Sequence, residues 1–333
     1  MIDDALRPPL PTDPTAGAYK DWLHLNVFDY ASGAVWLFNT SLHGAPADAR
    51  ARAIGTALVH LPGAGWIGNV EVCGIDDVVV GPHSIAMTRL ALAVDASGDR
   101  VLASAQLPGD GLTAALGARA TTAAIDIEQR LPFGPGWISW FVVPRLAVDG
   151  TLAAGGRVLD LSGAVGYHDH NWGRWHWGDD VGWEWGVMLA PGPGPTLVIS
   201  RTTDREHRRR GEPALVVDHA GGRTRFRASA VDVRLEGRLQ DLPIRRLPGA
   251  LAALHQGRAH PALPGRIRIR ADDGLDRADV EFLPRAAAQL IAGDPVQPGY
   301  GFVHEMVGRF SATLRLAGRE SVVEGLGVFE YVD

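Results

Sequence analysis

Residues 166–186 read GYHDHNWGRWHWGDDVGWEWG and gather five of the chain's ten tryptophans, three of its twelve histidines and four carboxylates. These residue types support several chemistries. Carboxylates and imidazoles move protons, indole faces hold apolar or cationic groups, and a His-x-His pair on a strand can present one metal ion with two ligands. Strand period divides the stretch, with His168, His170 and Trp172 on one side and Tyr167, Asp169 and Asn171 on the other. With GDDVG (178–182) as a hairpin loop, Trp177 faces Trp183, Trp175 faces Trp185 and His176 faces Glu184. Four indoles then tile one face, either as the wall of a site for a flat apolar or cationic ligand or as an aromatic cluster that supports the fold. Each ring pair in such a cluster contributes about 0.5–1.5 kcal/mol. A metal at His168 and His170 needs further ligands from His24, His304 or Glu305, and no spacing in the sequence demands them. The expectation is therefore no metal and no other cofactor.

Two further runs place polar groups inside apolar strands. In WLHLNVF, Leu23, Leu25 and Val27 form one face, while Trp22, His24, Asn26 and Phe28 form another that suits a pocket of rings with few hydrogen-bonding groups. Asn39 and His43 follow in the next strand. In FVHEMVG, His304 and Glu305 point to opposite faces, and a carboxylate turned inward without a partner has a raised pKa.

The elements that must hold these residues are strands. Short alternating runs such as TALVHL, RVLASAQL, TLVISRTT and GRIRIR recur at roughly 8–12-residue spacing, the pattern of all-β sheets that curl or close. Helical period is confined to PGALAALHQ (248–256) and PRAAAQLIAG (284–293), each opened by Pro. The pattern predicts two tandem antiparallel β-barrels, residues 1–176 and 177–333, with a few short helices.

At 333 residues, with 46% hydrophobic and 21% charged residues, the composition is that of a globular protein with a sizeable core. A net charge of −6 argues against a nucleic-acid partner. The basic run Arg205–Arg210 reads as a solvated loop. Cys73 is the single cysteine and alternates with apolar residues, which excludes a cysteine zinc cage and favours an inert thiol. The N-terminal segment has acids where a signal peptide has bases, and no run reaches the ~18–20 apolar residues of a membrane span. A cytoplasmic protein without stable membrane insertion is expected. There is no nucleophile elbow, phosphate loop or dinucleotide glycine pattern, and GAGWIG (63–68) reads as a turn because no βαβ unit surrounds it.

GYHDHNWG, with WEWG downstream and the closing VEGLGVFEYV, resembles the carotenoid 1,2-hydratase (hydroxyneurosporene synthase)/AttH-like superfamily, which is related to fungal lipocalin-like Diels–Alderases. The likeness runs over nearly the whole chain from DWLHLNVF onward. It implies two lipocalin-like barrels, an apolar ligand cavity and no required metal or nucleotide. The His-x-Trp that the hydratases use looks like His170 and Trp172 here. Their Tyr-x-Asp has no counterpart, since the corresponding strand reads TLVISRTTD and Asp204 lies too far along it.

Two chemistries fit this picture. Alkene protonation needs an acid kept neutral by burial and aromatic faces for the carbocation, which water or an internal alkene then captures. A pericyclic step needs only a cavity that folds its substrate. The sequence thus predicts a cofactor-free cyclase/isomerase or hydratase acting on an apolar polyene, isoprenoid or polyketide-type metabolite. Its catalytic candidates are His170, Trp172 and Asp169. Its substrate-binding candidates are Trp22, His24, Asn26, His168, Trp175, Trp177, Trp183, Trp185 and Glu305. The alternatives are a non-catalytic lipocalin-like carrier of a hydrophobic small molecule, which needs no buried acid, and a metal-dependent hydrolase on the His-x-His.

Overall fold

The computed structural model describes residues 5–10, 12–95, 98–239, 244–247 and 262–333, which divide into two compact units. The first comprises Met1–Asp179 together with Gly293–Tyr300. Its strands begin with β1 (Tyr19–Asp29), β2 (Ala34–His43), β3 (Arg52–Leu61) and β4 (Gly65–Gly74). Three short strands follow, β5 (Val79–Gly81), β6 (Ser84–Ala86) and β7 (Leu90–Val94), and then β8 (Arg100–Leu107) and β9 (Leu112–Ala120). The unit closes with β10 (Ile125–Phe133), β11 (Gly136–Ala154), β12 (Arg157–Asp160) and β13 (Val165–Arg174).

These strands form one antiparallel sheet in the order β4-β3-β2-β1-β13-β11-β9-β8-β7-β6-β5, with β10 and β12 also paired to β11. Alternation explains most of it: in β8, Val101, Ala103, Ala105 and Leu107 are buried while their neighbours are not. The sheet curls until Met87 and Leu90 close over Gly55, where a Cβ would stand 2.7 Å from Leu90. Leu23, Leu25, Trp36, Phe38, Phe141 and Val143 fill its interior. Strand β1 breaks the alternation, because every one of its residues is buried.

The second unit comprises Asp180–Ala292 and Gly301–Asp333. It contains β14 (Gly182–Leu189), β15 (Thr196–Thr203), β16 (Ala214–His219), β17 (Gly222–Arg227) and β18 (Val231–Glu236). It continues through β19 (Arg245–Leu247), β20 (Arg266–Asp272), β21 (Arg277–Gly293), β22 (Tyr300–Leu316) and β23 (Arg319–Val332). The sheet order is β17-β16-β15-β14-β23-β22-β21-β20-β18, with β19 parallel to β21. Met188, Ile199, Leu215, Phe282, Phe310 and Phe329 share its core. On β20, Ile267 and Ile269 face that core, while Arg266, Arg268 and Arg270 pair outside with Glu281 and Asp279. Both units are curled antiparallel barrels, as the spacing of the strands implied.

The helical expectations need correction. Residues 284–293 are not a helix but the second half of β21, which lies beside β22 and, at Ala288–Leu290, pairs with the parallel β19. Ala286, Ala287, Ala288 and Gln289 are all buried there, and Gln289 donates to His304 on β22 at 3.0 Å. Sheet neighbours on both edges outweigh the modest helix preference of an alanine run. Residues 248–256 lie outside the described residues. Helical structure in the described residues amounts to four single 3₁₀ turns, at Ala16–Ala18, Ile75–Asp77, Pro108–Asp110 and Ala228–Ala230.

A buried ion pair fastens Gly293–Tyr300 within the first unit. Lys20 Nζ donates to the Trp175 carbonyl at 3.0 Å and meets Asp294 Oδ2 at 3.3 Å, with both side chains fully buried. The same carboxylate accepts from His176 Nδ1 (3.0 Å) and the Trp177 amide (3.3 Å), and its other oxygen accepts from the amides of Val296 and Gln297. Burial lowers the Lys20 pKa. Burial also works to raise the Asp294 carboxyl, but Lys20 and the amides outweigh it and hold the group below its ordinary value. Removing one member strands the other charge. Asp294→Ala should therefore cost about 3–5 kcal/mol in chemical denaturation, whereas Lys20→Met with Asp294→Leu should cost less than Asp294→Ala alone.

Candidate functional site

In the first unit, β13 lies between β1 and β11 and sets the site by its register. His170 pairs with Leu23 and Phe141, Trp172 with Asp21 and Ser139, and His168 with Leu25 and Val143. Since Leu23, Leu25, Phe141, Val143 and Trp172 belong to the interior cluster, His168, His170 and Trp172 share the inward face, the side-by-side placement expected from strand period. Asp21 gathers this face. Its Oδ1 meets His170 Nε2 at 2.7 Å, and its Oδ2 accepts from the Tyr19 hydroxyl (2.6 Å) and the Arg7 amide (2.9 Å). Burial first, and the adjacent Asp21 second, push the Tyr19 hydroxyl far up, so it remains a donor. His168 donates through Nδ1 to the His24 carbonyl at 2.7 Å. Trp172 tilts against His170, 4.8 Å between centroids, and forms part of a cleft at the end of the barrel where β11 begins and β13 ends.

The opposite face of the same strands carries Trp22, His24, Asn26, Asp169 and Asn171, all of them buried. His24 Nε2 donates to Asn26 Oδ1 at 2.6 Å, and Asn171 donates to Asp169. Asn26 Nδ2 and Asn171 Oδ1 are buried with no hydrogen-bond partner among the described residues, which is uncommon in a folded protein. Trp175 stands edge-on to Trp22 and to Phe133, each 5.4 Å between centroids. Trp177 stacks on His43 and donates from Nε1 to His43 Nδ1 at 3.0 Å. That bond fixes the tautomer: His43 donates through Nε2 to Ser41 Oγ (2.9 Å), and Ser41 donates to the Ile54 carbonyl (2.8 Å).

The second unit carries the remaining candidates. Trp183 pairs with Thr202 and Val332, and Trp185 with Ser200 and Glu330. The expected hairpin is thus corrected. Strand β13 belongs to the first sheet and β14 to the second, so Trp175 does not pair with Trp185, nor Trp177 with Trp183. Nor does His176 face Glu184, because His176 binds Asp294. Glu184 lies on the inward face of β14, held by Arg201 Nε (3.0 Å) and Nη2 and by His207 Nδ1 (3.0 Å). Burial alone would raise the Glu184 carboxyl; His207 and Arg201 overcome it and keep the group ionised. The run Arg205–Arg210 is consequently only partly solvated. Arg208 and Arg209 are exposed, but His207 is buried, stacked 3.7 Å from the Tyr331 ring and bonded to the Val332 carbonyl.

On the other face of β14, β22 and β23, Glu305 lies in register with Glu330, and the two carboxyls share a hydrogen bond. Glu305 is 4% exposed. Trp183 Nε1 donates to Glu330 Oε2 at 2.8 Å. Burial pushes the Glu330 carboxyl up to about 7, against the opposing pull of Trp183 and Glu305. Adjacent carboxyls that share a proton cannot both ionise at little cost. His304 points inward instead, donating from Nδ1 to the Tyr331 carbonyl and accepting from Gln289. Sequence reasoning overlooked Asp21, Arg201, His207 and Glu330. A charged residue inside an otherwise apolar strand was the available signal for Asp21, but the partner of Glu305 is set by register alone.

Among the described residues no group of three or more His, Cys, Asp or Glu side chains is placed to hold a metal ion, and no helix is long and apolar enough to cross a membrane. Cys73 is half-buried, and burial raises its thiol pKa.

The architecture is one seen before. Over 98% of both chains it matches an AttH-type protein of Nitrosomonas europaea, at 13% identity and a TM-score of 0.66. Kievitone hydratase from Nectria haematococca superposes over 99% of this chain and 94% of its own, at 12% identity and a TM-score of 0.63. CghA, crystallised with Sch210972, does so over 100% and 95%, at 14% identity and a TM-score of 0.61. These likenesses establish a shared two-barrel fold. No family model and no curated protein sequence matches the chain.

Burial holds His43 down to about 3 and His24 down to about 4. On acidification the unfolded chain takes up these protons first, near the ordinary value of 6.5, so stability should fall as pH drops from there toward 4 and below. Melting temperatures measured between about pH 7 and about pH 4 should decline, and His43→Gln should make the decline shallower. An unchanged slope would place the acid sensitivity elsewhere.

Proposed function

We propose that the protein is a cofactor-free enzyme that protonates an alkene of an apolar polyene, isoprenoid or polyketide-type metabolite, leading to hydration or cyclisation. The observation that carries this reading is the Glu305–Glu330 carboxyl pair beside Trp183 and Trp185. A carrier needs aromatic walls but no acid held neutral near physiological pH. Of the buried acids, Glu184 is tied to Arg201 and His207, and Asp169 is bonded by Asn171, whereas the Glu305–Glu330 pair retains a proton. A neutral carboxylic acid is the form that donates, and indole faces stabilise a developing carbocation.

The proton donor is thereby moved from Asp169 to the carboxyl pair. Trp183 orients Glu330 through its indole N–H, and Trp185, in register with Glu330, supplies the aromatic surface. His170 and Trp172 keep a ligand-facing role in the first unit, where Trp172 reaches a cleft and His170 is set by Asp21. His168 shares the inward face with His170, while on the opposite face Trp22, His24 and Asn26 form a second binding surface with Trp175 and Trp177, and the unmatched amide of Asn26 suits a polar group on the substrate. The likeness in fold to a hydratase and to CghA is compatible with this chemistry, and the missing Tyr-x-Asp favours cyclisation or isomerisation over water addition. Such a metabolite fits a cytoplasmic location.

The test is turnover of an acyclic polyene panel in deuterated water. Wild-type protein should place deuterium on the product carbon skeleton, and activity should fall as pH rises through about 7, when Glu330 loses its proton. Glu305→Gln and Glu330→Gln should each lower turnover by about 10²–10⁴-fold, the usual worth of a general acid, while quenching of tryptophan fluorescence by the polyene persists. Stability has the opposite pH sign from the histidines. Because the Glu330 pKa is raised on folding, its own contribution to stability is full below about 4.5 and is lost as pH climbs to about 7, so Glu330→Gln should steepen the rise of melting temperature with pH that the histidines produce. Quenching without turnover in the wild type would leave the carrier reading standing.

A further inference from the structure

In the second unit the loop of residues 204–211 leaves β15 and turns back on it, closing with a bridge between Thr203 and Arg210. Glu206, Arg208 and Arg209 are exposed, whereas His207 among them is 5% exposed. Both of its ring nitrogens meet acceptors. Nδ1 lies 3.0 Å from Glu184 Oε1 on β14, and Nε2 lies 2.9 Å from the Val332 carbonyl on β23. A neutral imidazole carries one N–H, so it can satisfy one of these oxygens and must turn a lone pair on the other. Glu184 cannot supply the missing proton. Burial works to raise its carboxyl, but the bonds and charges of His207 and Arg201 outweigh that and keep it ionised. The two bonds therefore coexist only when both ring nitrogens are protonated.

The groups around the ring can hold that charge. Arg201 on β15 donates through both Nε and Nη2 to Glu184 Oε2, which leaves Oε1 to His207. Arg210 Nε stands 3.7 Å from Oε1 and opposes a second cation there, but its side chain is 41% exposed and water screens it. Tyr331 on β23 lies parallel to the imidazole at 3.7 Å, offering the aromatic face that a cation prefers. Burial first, then Glu184 and Asp333, push the Tyr331 hydroxyl up to about 12, so that ring stays neutral. His304 on β22 meets Tyr331 from the side and is bonded to its carbonyl and to Gln289. Asp204, in the loop itself, is taken up by the Arg208 and Arg209 amides and by Arg209 Nε. His207 also holds a positive φ of 55°, an uncommon backbone state away from glycine, which its ring bonds help to maintain.

We propose that His207 is a proton-operated latch: with both ring nitrogens protonated it ties the 204–211 loop to β14 and β23, and loss of one proton releases the loop. The sign follows from the bonds. They belong to the protonated ring, so the latch is closed at lower pH and loosens as pH rises. Opening uncovers Glu184, Arg201 and Tyr331, a polar layer in register across β14, β15 and β23. It also frees the carbonyl of Val332, the last residue of β23. The latch stands whether or not the Glu305–Glu330 pair donates a proton.

Trypsin reports this loop directly, because Arg205, Arg208, Arg209 and Arg210 all lie in it. The purified full chain is digested at a series of pH values from about 6 to about 9, spanning the loss of a histidine proton. Cleavage sites are read by mass spectrometry, and each rate is divided by that of an unstructured arginine peptide under the same conditions. With one proton closing the latch, the corrected rate should rise by up to about tenfold per pH unit. His207→Gln, its folding checked by circular dichroism, should be cleaved rapidly with no pH trend, while His219→Gln should keep the wild-type trend. Long-range proton–nitrogen spectra should show both ring nitrogens of His207 protonated at the acid end, where the loop resists trypsin; this reading and the wild-type digestion do not depend on the variants. A flat corrected rate in the wild type, a wild-type trend in His207→Gln, or a bare ring nitrogen in the protected state would overturn the proposal.

Discussion

Strand β13 is bonded along both edges, to β1 and to β11, and buried on both faces. That double constraint governs the first unit. A strand at a sheet edge can turn an awkward polar side chain to water; β13 cannot. Its histidines, aspartate and asparagine must therefore meet partners within reach of their own register positions, or remain unmatched at a cost of about 1–3 kcal/mol each. The inward set is met by Asp21 and the His24 carbonyl. On the outward side Asn171 donates to Asp169, while Asn171 Oδ1 has no hydrogen-bond partner among the described residues. Polar groups left over on a face with Trp22 beside them are what a ligand surface requires, whereas a purely structural strand would have been filled with valine and isoleucine.

Much of this was legible in the sequence for a simple reason. Period two is a property of the backbone, so the separation of His168, His170 and Trp172 from Asp169 and Asn171 follows once β13 is a strand. The barrels follow from the same alternation, as in β8 and β20. What was not legible depends on which strands become neighbours. A tight hairpin between β13 and β14 was the simplest connection for 175–185, yet the two strands enter different sheets, and each tryptophan finds partners far away in sequence. The alanine-rich half of β21 fails for a related reason, since its local preference is weak and its neighbours on the sheet are strong. Lys20 and Asp294 are 274 residues apart, and nothing local marks either as half of an ion pair. His207 was hidden among arginines, because a charge run gives no sign of which member turns inward.

The second unit shows how register, rather than residue type, decides what a carboxylate does. Glu184, Glu305 and Glu330 are all buried or partly buried glutamates on three adjacent strands. Glu184 pairs with Tyr331 and Arg201 and faces inward among cations, so it is ionised. Glu330 pairs with Trp185 and Glu305 and faces the other way among indoles and a second carboxyl, so it holds its proton. A slip of one residue in β23 would exchange those surroundings. The packing resists that slip. A Cβ at Gly186 would stand 2.8 Å from the Phe329 ring, and one at Gly182 would stand 2.3 Å from the Val332 carbonyl. The glycines let β14 and β23 approach closely at this alignment, which separates a carboxylate held by Arg201 and His207 from one set beside Trp185 and Glu305.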